Sequence, residues 1–153
     1  MVQTLLDSLH FSDSAGRSSI GSLSLASSSK EPKERRPRVL IVDDERLIAD
    51  TMADILEGAG FQAAIAYDGW SALQVAGILQ PDYLLSDVLM PRMNGVDLAI
   101  AIQKMYPAAR ILLFSGQAGI TEILRAAQDQ GFQFELIAKP IHPLNVIARL
   151  KEL

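Results

Sequence analysis

Five residues of this 153-residue chain are of types that act in concert on a charged ligand: Asp43 and Asp44, Asp87, Ser115 and Lys139. Carboxylates crowded together repel and raise one another's pKa. A hard divalent cation bound through oxygens removes that cost, and Mg²⁺, which retains several waters, is the natural candidate; Lys139 alone neutralises too little. Each residue also has a plain reading. Asp43 or Asp44 could simply cap a helix, Ser115 could turn a loop, and Lys139 could be a solvated charge. What favours the chemical reading is where they fall.

Each group follows an apolar run that reads as a strand. Val39-Leu40-Ile41-Val42 ends at Asp43-Asp44, Tyr83-Leu84-Leu85-Ser86 at Asp87, Ile111-Leu112-Leu113-Phe114 at Ser115-Gly116, and Phe134 to Ala138 at Lys139-Pro140. Continuous apolar runs of this length are the pattern of strands buried on both faces. Phe61 to Ala66 adds another strand. Between them lie residues at helical spacing: Leu47 to Leu56, Ala72 to Ile78, Val96 to Met105, Ile120 to Gln128 and Leu144 to Leu150. Trp70 is expected to begin a helix and pack locally. Met90, Pro91 and Met93 are expected to pack a loop, and His10 and His142 are given no chemical role. Five βα repeats with short connections predict a parallel sheet covered by helices on both faces, and its carboxyl-end edge is where ligands bind.

Composition bounds the alternatives. The absence of cysteine excludes disulfides, thiolate zinc sites and a thiol nucleophile, and two histidines make a His-rich metal cage unfavourable. The charge of -4 divides into -1 for residues 1 to 29, +3 for 30 to 38 and -6 for 39 to 153. Residues 8 to 29 contain ten Ser and one basic residue, so residues 1–37 are expected to form a disordered Ser-rich and basic extension before a domain at 38–153. No signal peptide or spanning segment is evident, which predicts a cytoplasmic protein without membrane contact.

The set Asp43-Asp44, Asp87 followed by Met90-Pro91 and Gly95, Ser115-Gly116 and Lys139-Pro140 resembles the response-regulator receiver domain of two-component signalling. The resemblance implies an α/β, flavodoxin-like, doubly wound (βα)5 fold with strand order 2-1-3-4-5. It makes Asp87 the phosphoacceptor for a sensor histidine kinase or histidine phosphotransfer protein. Mg²⁺ would be held by Asp43, Asp44, Asp87 and the backbone carbonyl of Leu89. Lys139, Ser115 and the Gly116 backbone N–H would engage phosphoryl oxygens, and the Lys139–Pro140 bond would be cis. Such a module is not an enzyme beyond its own phosphorylation and dephosphorylation.

With the chain ending at Leu153, output is expected through a separate protein or by phosphate relay rather than by direct DNA binding. The family's aromatic switch position is Leu136 here, so phosphorylation is expected to order residues 115 to 120 and shift the fourth helix without an aromatic flip. Leu89 and Gln117 are expected to govern access of hydrolytic water. Two other classes are a phosphorylation-independent binding module of the same fold and a Mg²⁺-dependent aspartyl phosphohydrolase, whose general acid would occupy the place of Leu89.

Overall fold

The computed structural model describes residues 34–116 and 119–153. Five strands alternate with five helices: β1 (Arg38–Val42), α1 (Arg46–Gly58), β2 (Gln62–Ala66), α2 (Gly69–Leu79), β3 (Tyr83–Asp87), α3 (Gly95–Met105), β4 (Arg110–Ser115), α4 (Thr121–Asp129), β5 (Glu135–Ala138) and α5 (Pro143–Glu152). The strands form one parallel sheet in the order β2-β1-β3-β4-β5. The alternation expected from the apolar runs and the strand order implied by the resemblance are therefore present, with element ends differing by one to three residues.

The sheet is buried on both faces because its central strands are continuously apolar through their middles, at Val39 to Val42, Leu84-Leu85 and Ile111 to Phe114. Period-two alternation sends Leu40, Val42 and Leu84 into a core beneath α2, α3 and α4, where Leu98 and Ile102 meet them. Val39, Ile41, Leu85 and Leu112 enter a second core with Leu56 of α1 and Leu150 of α5. Burying each of these large side chains contributes about 1.5–3 kcal/mol. Two rigid cores hold the strands in register, and the register sets where the polar strand ends point.

The extension expected at residues 1–37 lies mostly outside the described residues. Its last residues make defined contacts: Arg36 donates to the carbonyls of Glu57, Gly60 and Phe61 and to the Glu57 carboxylate, clasping the end of α1. The Pro37 carbonyl accepts from Gln62 N–H at 2.8 Å. No helix among the described residues is long and apolar enough to cross a membrane.

Candidate phosphoryl and metal site

Parallel strands deliver their carboxyl ends to one edge, and this edge collects the polar residues singled out above. Asp43 follows β1, Asp87 ends β3, Ser115 ends β4 and Lys139 follows β5. Asp44, Glu45, Asp87, Leu89, Ser115, Gly116 and Lys139 line a cleft of about 310 Å³. Carboxylate oxygens of Asp43, Asp44 and Asp87 lie within 4.8 Å of one another. Asp43 is fully buried, Asp87 and Ser115 nearly so, and Asp44 is exposed.

Lys139 joins the acids. Its Nζ lies 3.3 Å from Asp43 Oδ2 and 3.2 Å from Asp87 Oδ2, and 4.9 Å from the centre of the Phe114 ring. Burial pushes both carboxyls above their usual range, with Lys139 opposing the shift in each. For Lys139 burial acts downward, but the charges and hydrogen bonds of Asp87 and Asp43 outweigh it and hold the ammonium above its ordinary value. Both partners move upward because burial disfavours the carboxylates while two anions stabilise one cation. One ammonium offsets one of the three carboxylate charges, so with all three ionised two remain uncompensated. Three converging oxygen donors with excess negative charge fit a hard divalent cation.

Local backbone features explain the aim of each group. Asp43 does not cap α1: its Oδ1 accepts from Glu45 N–H at 2.9 Å, while the Glu45 side chain makes no capping bond. The Leu89 backbone N–H opposes the upward shift of the Asp87 carboxyl. Lys139 N–H donates to the Ser115 carbonyl at 2.9 Å, continuing the β4–β5 ladder into the cleft, and the Lys139–Pro140 bond is cis. Gly116 lies against Lys139, where a Cβ would come 3.3 Å from the lysine Cβ.

Two residues beside the strand ends, to which their types assign no chemistry, also shape the cleft. Phe114 provides the apolar floor beneath the Lys139 ammonium, and Glu45 forms part of the cleft wall. The only sequence signal for either was adjacency to a strand end. Trp70 does begin α2, but it is 58% exposed rather than locally packed. His142 caps α5 by accepting from Leu144 N–H at 3.2 Å. Gln117 lies outside the described residues.

The family model described as the response regulator receiver domain matches residues 39–151. The DNA-binding response regulator MtrA of Mycolicibacterium paratuberculosis is 28% identical over 116 residues, covering 76% of this chain and 50% of its own. The chain thus spans about half the length of the MtrA relatives it matches. The chemotaxis protein CheY of Thermotoga maritima is 34% identical over 119 residues, covering 75% of this chain and 95% of CheY. Among solved structures, a CheY-like receiver domain protein from Methanospirillum hungatei superposes with a TM-score of 0.69 at 27% identity, covering 76% of this chain and 92% of that one.

Proposed function

Because this chain belongs to the response-regulator receiver-domain family, we propose that it takes a phosphoryl group from a sensor histidine kinase or phosphotransfer protein onto Asp87. Receiver domains are signalling modules of two-component systems, and phosphorylation on Asp is general to the family. The observation that carries the reading for this chain is the Lys139 ammonium bridging two buried carboxylates at the mouth of the cleft.

Phosphoryl transfer asks a protein mainly for in-line positioning and for neutralisation of the equatorial oxygens. An oxygen of Asp87 attacks phosphorus; the new P–O bond forms as the P–N bond to the donor imidazole breaks, and the imidazole departs. Lys139 gives up part of its hold on Asp87 to one phosphoryl oxygen. The Ser115 hydroxyl and the Gly116 N–H donate to another. Asp43, Asp44 and Asp87, with the Leu89 carbonyl, are the residues that would hold Mg²⁺, which when bound supplies charge neutralisation for the remaining oxygen. Signalling then passes to a separate protein partner, or the phosphate is relayed onward.

Incubation with acetyl phosphate and Mg²⁺ followed by intact-mass measurement tests this. A single-phosphate adduct is expected, lost in Asp87→Ala and suppressed by removal of divalent cations. Acetyl phosphate turnover without an adduct would instead indicate the hydrolase chemistry. An unmodified protein with no turnover would indicate a binding module that does not use phosphate.

A further inference from the structure

Helix α2 has an unusual surface. It contains no charged residue, and from Gly58 to Pro81 the chain carries one charge, Asp68. Each of the other four helices carries at least two charged residues. A helix lying on a globular domain normally presents a polar face to water. Here Ala72 and Ala76 are buried against the sheet, while Trp70, Gln74, Gly77 and Ile78 are exposed, Trp70 by 58% and Ile78 by 89%. Trp70, Gln74 and Ile78 follow at intervals of four and form one stripe.

The stripe has a knob at one end and a groove at the other. Arg38, Gln62, Ala64, Val75, Ile78 and Leu79 line a groove of about 510 Å³ between the C-terminal half of α2 and the edge strand β2. Trp70 projects from the opposite end of the helix.

We propose that a second copy of this chain covers this face, with α2 packed antiparallel on its counterpart about a two-fold axis at Gln74. Gln74 is midway between Trp70 and Ile78, so the axis sets the Trp70 of each copy against the Ile78 end of the other. Each indole enters the facing groove, where the Arg38 guanidinium can stack on it. The Gln74 amides meet at the axis, and an amide carries both donor and acceptor, so two of them pair. Gly77, where a Cβ would meet nothing within 4 Å, leaves room for the approaching helix. Antiparallel helices also oppose their dipoles favourably.

Charge selects a copy of the same chain over another partner. Residues 39–153 carry a net charge of -6, so two copies repel wherever their charged faces meet. The uncharged α2 is the face where that repulsion is least. A strongly acidic or basic partner would find no opposite charge on the helix to pair with. A patch with its knob and groove symmetric about one residue meets the self-complementarity that a two-fold interface requires.

Light scattering on the full chain across about 1–100 µM, with emission from Trp70 followed in parallel, tests the assignment. Trp70 is the sole tryptophan, so its emission reports this face alone. The wild type is expected to form a dimer with concentration, with blue-shifted emission on association. Ile78→Glu and Gln74→Glu, which place a charge in the groove and like charges across the axis, are expected to weaken the dimer at least tenfold. Both should still accept phosphate from acetyl phosphate. A wild type that stays monomeric across the range, or dimers that persist equally in both variants, would overturn the proposal.

Discussion

A Cβ atom on Gly95 would stand 1.9 Å from the backbone carbonyl oxygen of Asp87. The loop that leaves β3 folds back so tightly that Gly95 N–H donates to the Val88 carbonyl at 2.7 Å. Only the absence of a side chain permits that approach. Gly95→Ala is therefore expected to destabilise the domain by about 1–3 kcal/mol and to displace Asp87. Urea unfolding and the acetyl phosphate adduct yield check the two consequences separately. An unchanged midpoint with full yield would mean that the loop relaxes freely.

At the N-terminus of α2, Asp68 accepts from the Ser71 backbone N–H at 2.8 Å and from the Ser71 hydroxyl at 2.9 Å. These bonds hold its carboxyl below the usual carboxylate range. A carboxyl with a lowered folded pKa contributes stability that is present above its unfolded pKa, about 3.9, and is lost as pH falls through the lower folded value. Asp68→Ala is expected to cost about 1 kcal/mol at pH 7. The gap between variant and wild type should close in acid, as followed by urea midpoints from neutral pH downward. A gap independent of pH would show that the ionised carboxylate is not the cap.

Leu89 lines the cleft with Asp87, and its apolar side chain cannot orient water. Leu89→Asn supplies an amide at that place and is expected to speed loss of phosphate from Asp87 about tenfold. Timed intact-mass spectra of the purified phosphoprotein measure the rate. An unchanged rate would remove Leu89 from control of hydrolysis.

Leu136 is half-buried on β5 and packs with Phe134 against the core beneath α2 to α4. The Phe134 ring is stacked on Phe132, with centroids 6.1 Å apart and planes at 17°. Beryllofluoride is expected to shift amide resonances between residues 115 and 120 and in α4, while the Leu136 methyl signals keep their rotamer signature. Amide spectra unchanged across residues 115 to 138 would exclude a response through β4, α4 and β5.

The βα alternation and the strand-end placement of Asp43, Asp44, Asp87, Ser115 and Lys139 are legible because hydrophobic runs are local and polar breaks within them are abrupt, whereas the strand order follows only from the family resemblance. Relations between distant segments were not. Gly95 appeared only as part of a motif, since its need for a bare Cα comes from the Asp87 carbonyl folded over it. The sharing of Lys139 between Asp43 and Asp87 joins residues 96 and 52 positions apart. Trp70 is exposed where local packing is expected, because the sheet has surface to cover only one side of α2. The plain reading of Asp43 as a helix cap is not what the structure shows: Asp43 serves the turn after β1, and burial rather than capping governs its charge.

The β3–β4 pairing has a consequence for how the domain can be divided. β3 ends with Asp87, β4 ends with Ser115, and the chain between them turns at residues 106–109 after α3. A cut in that turn leaves all three carboxylates on one fragment and the hydroxyl and ammonium on the other. The first half keeps the anions without their counter-charge, and the second keeps the counter-charge without its anions. Neither is a small receiver; each is an electrostatic half, and recovery of the whole cleft would report the two pieces finding each other along a single seam of the sheet.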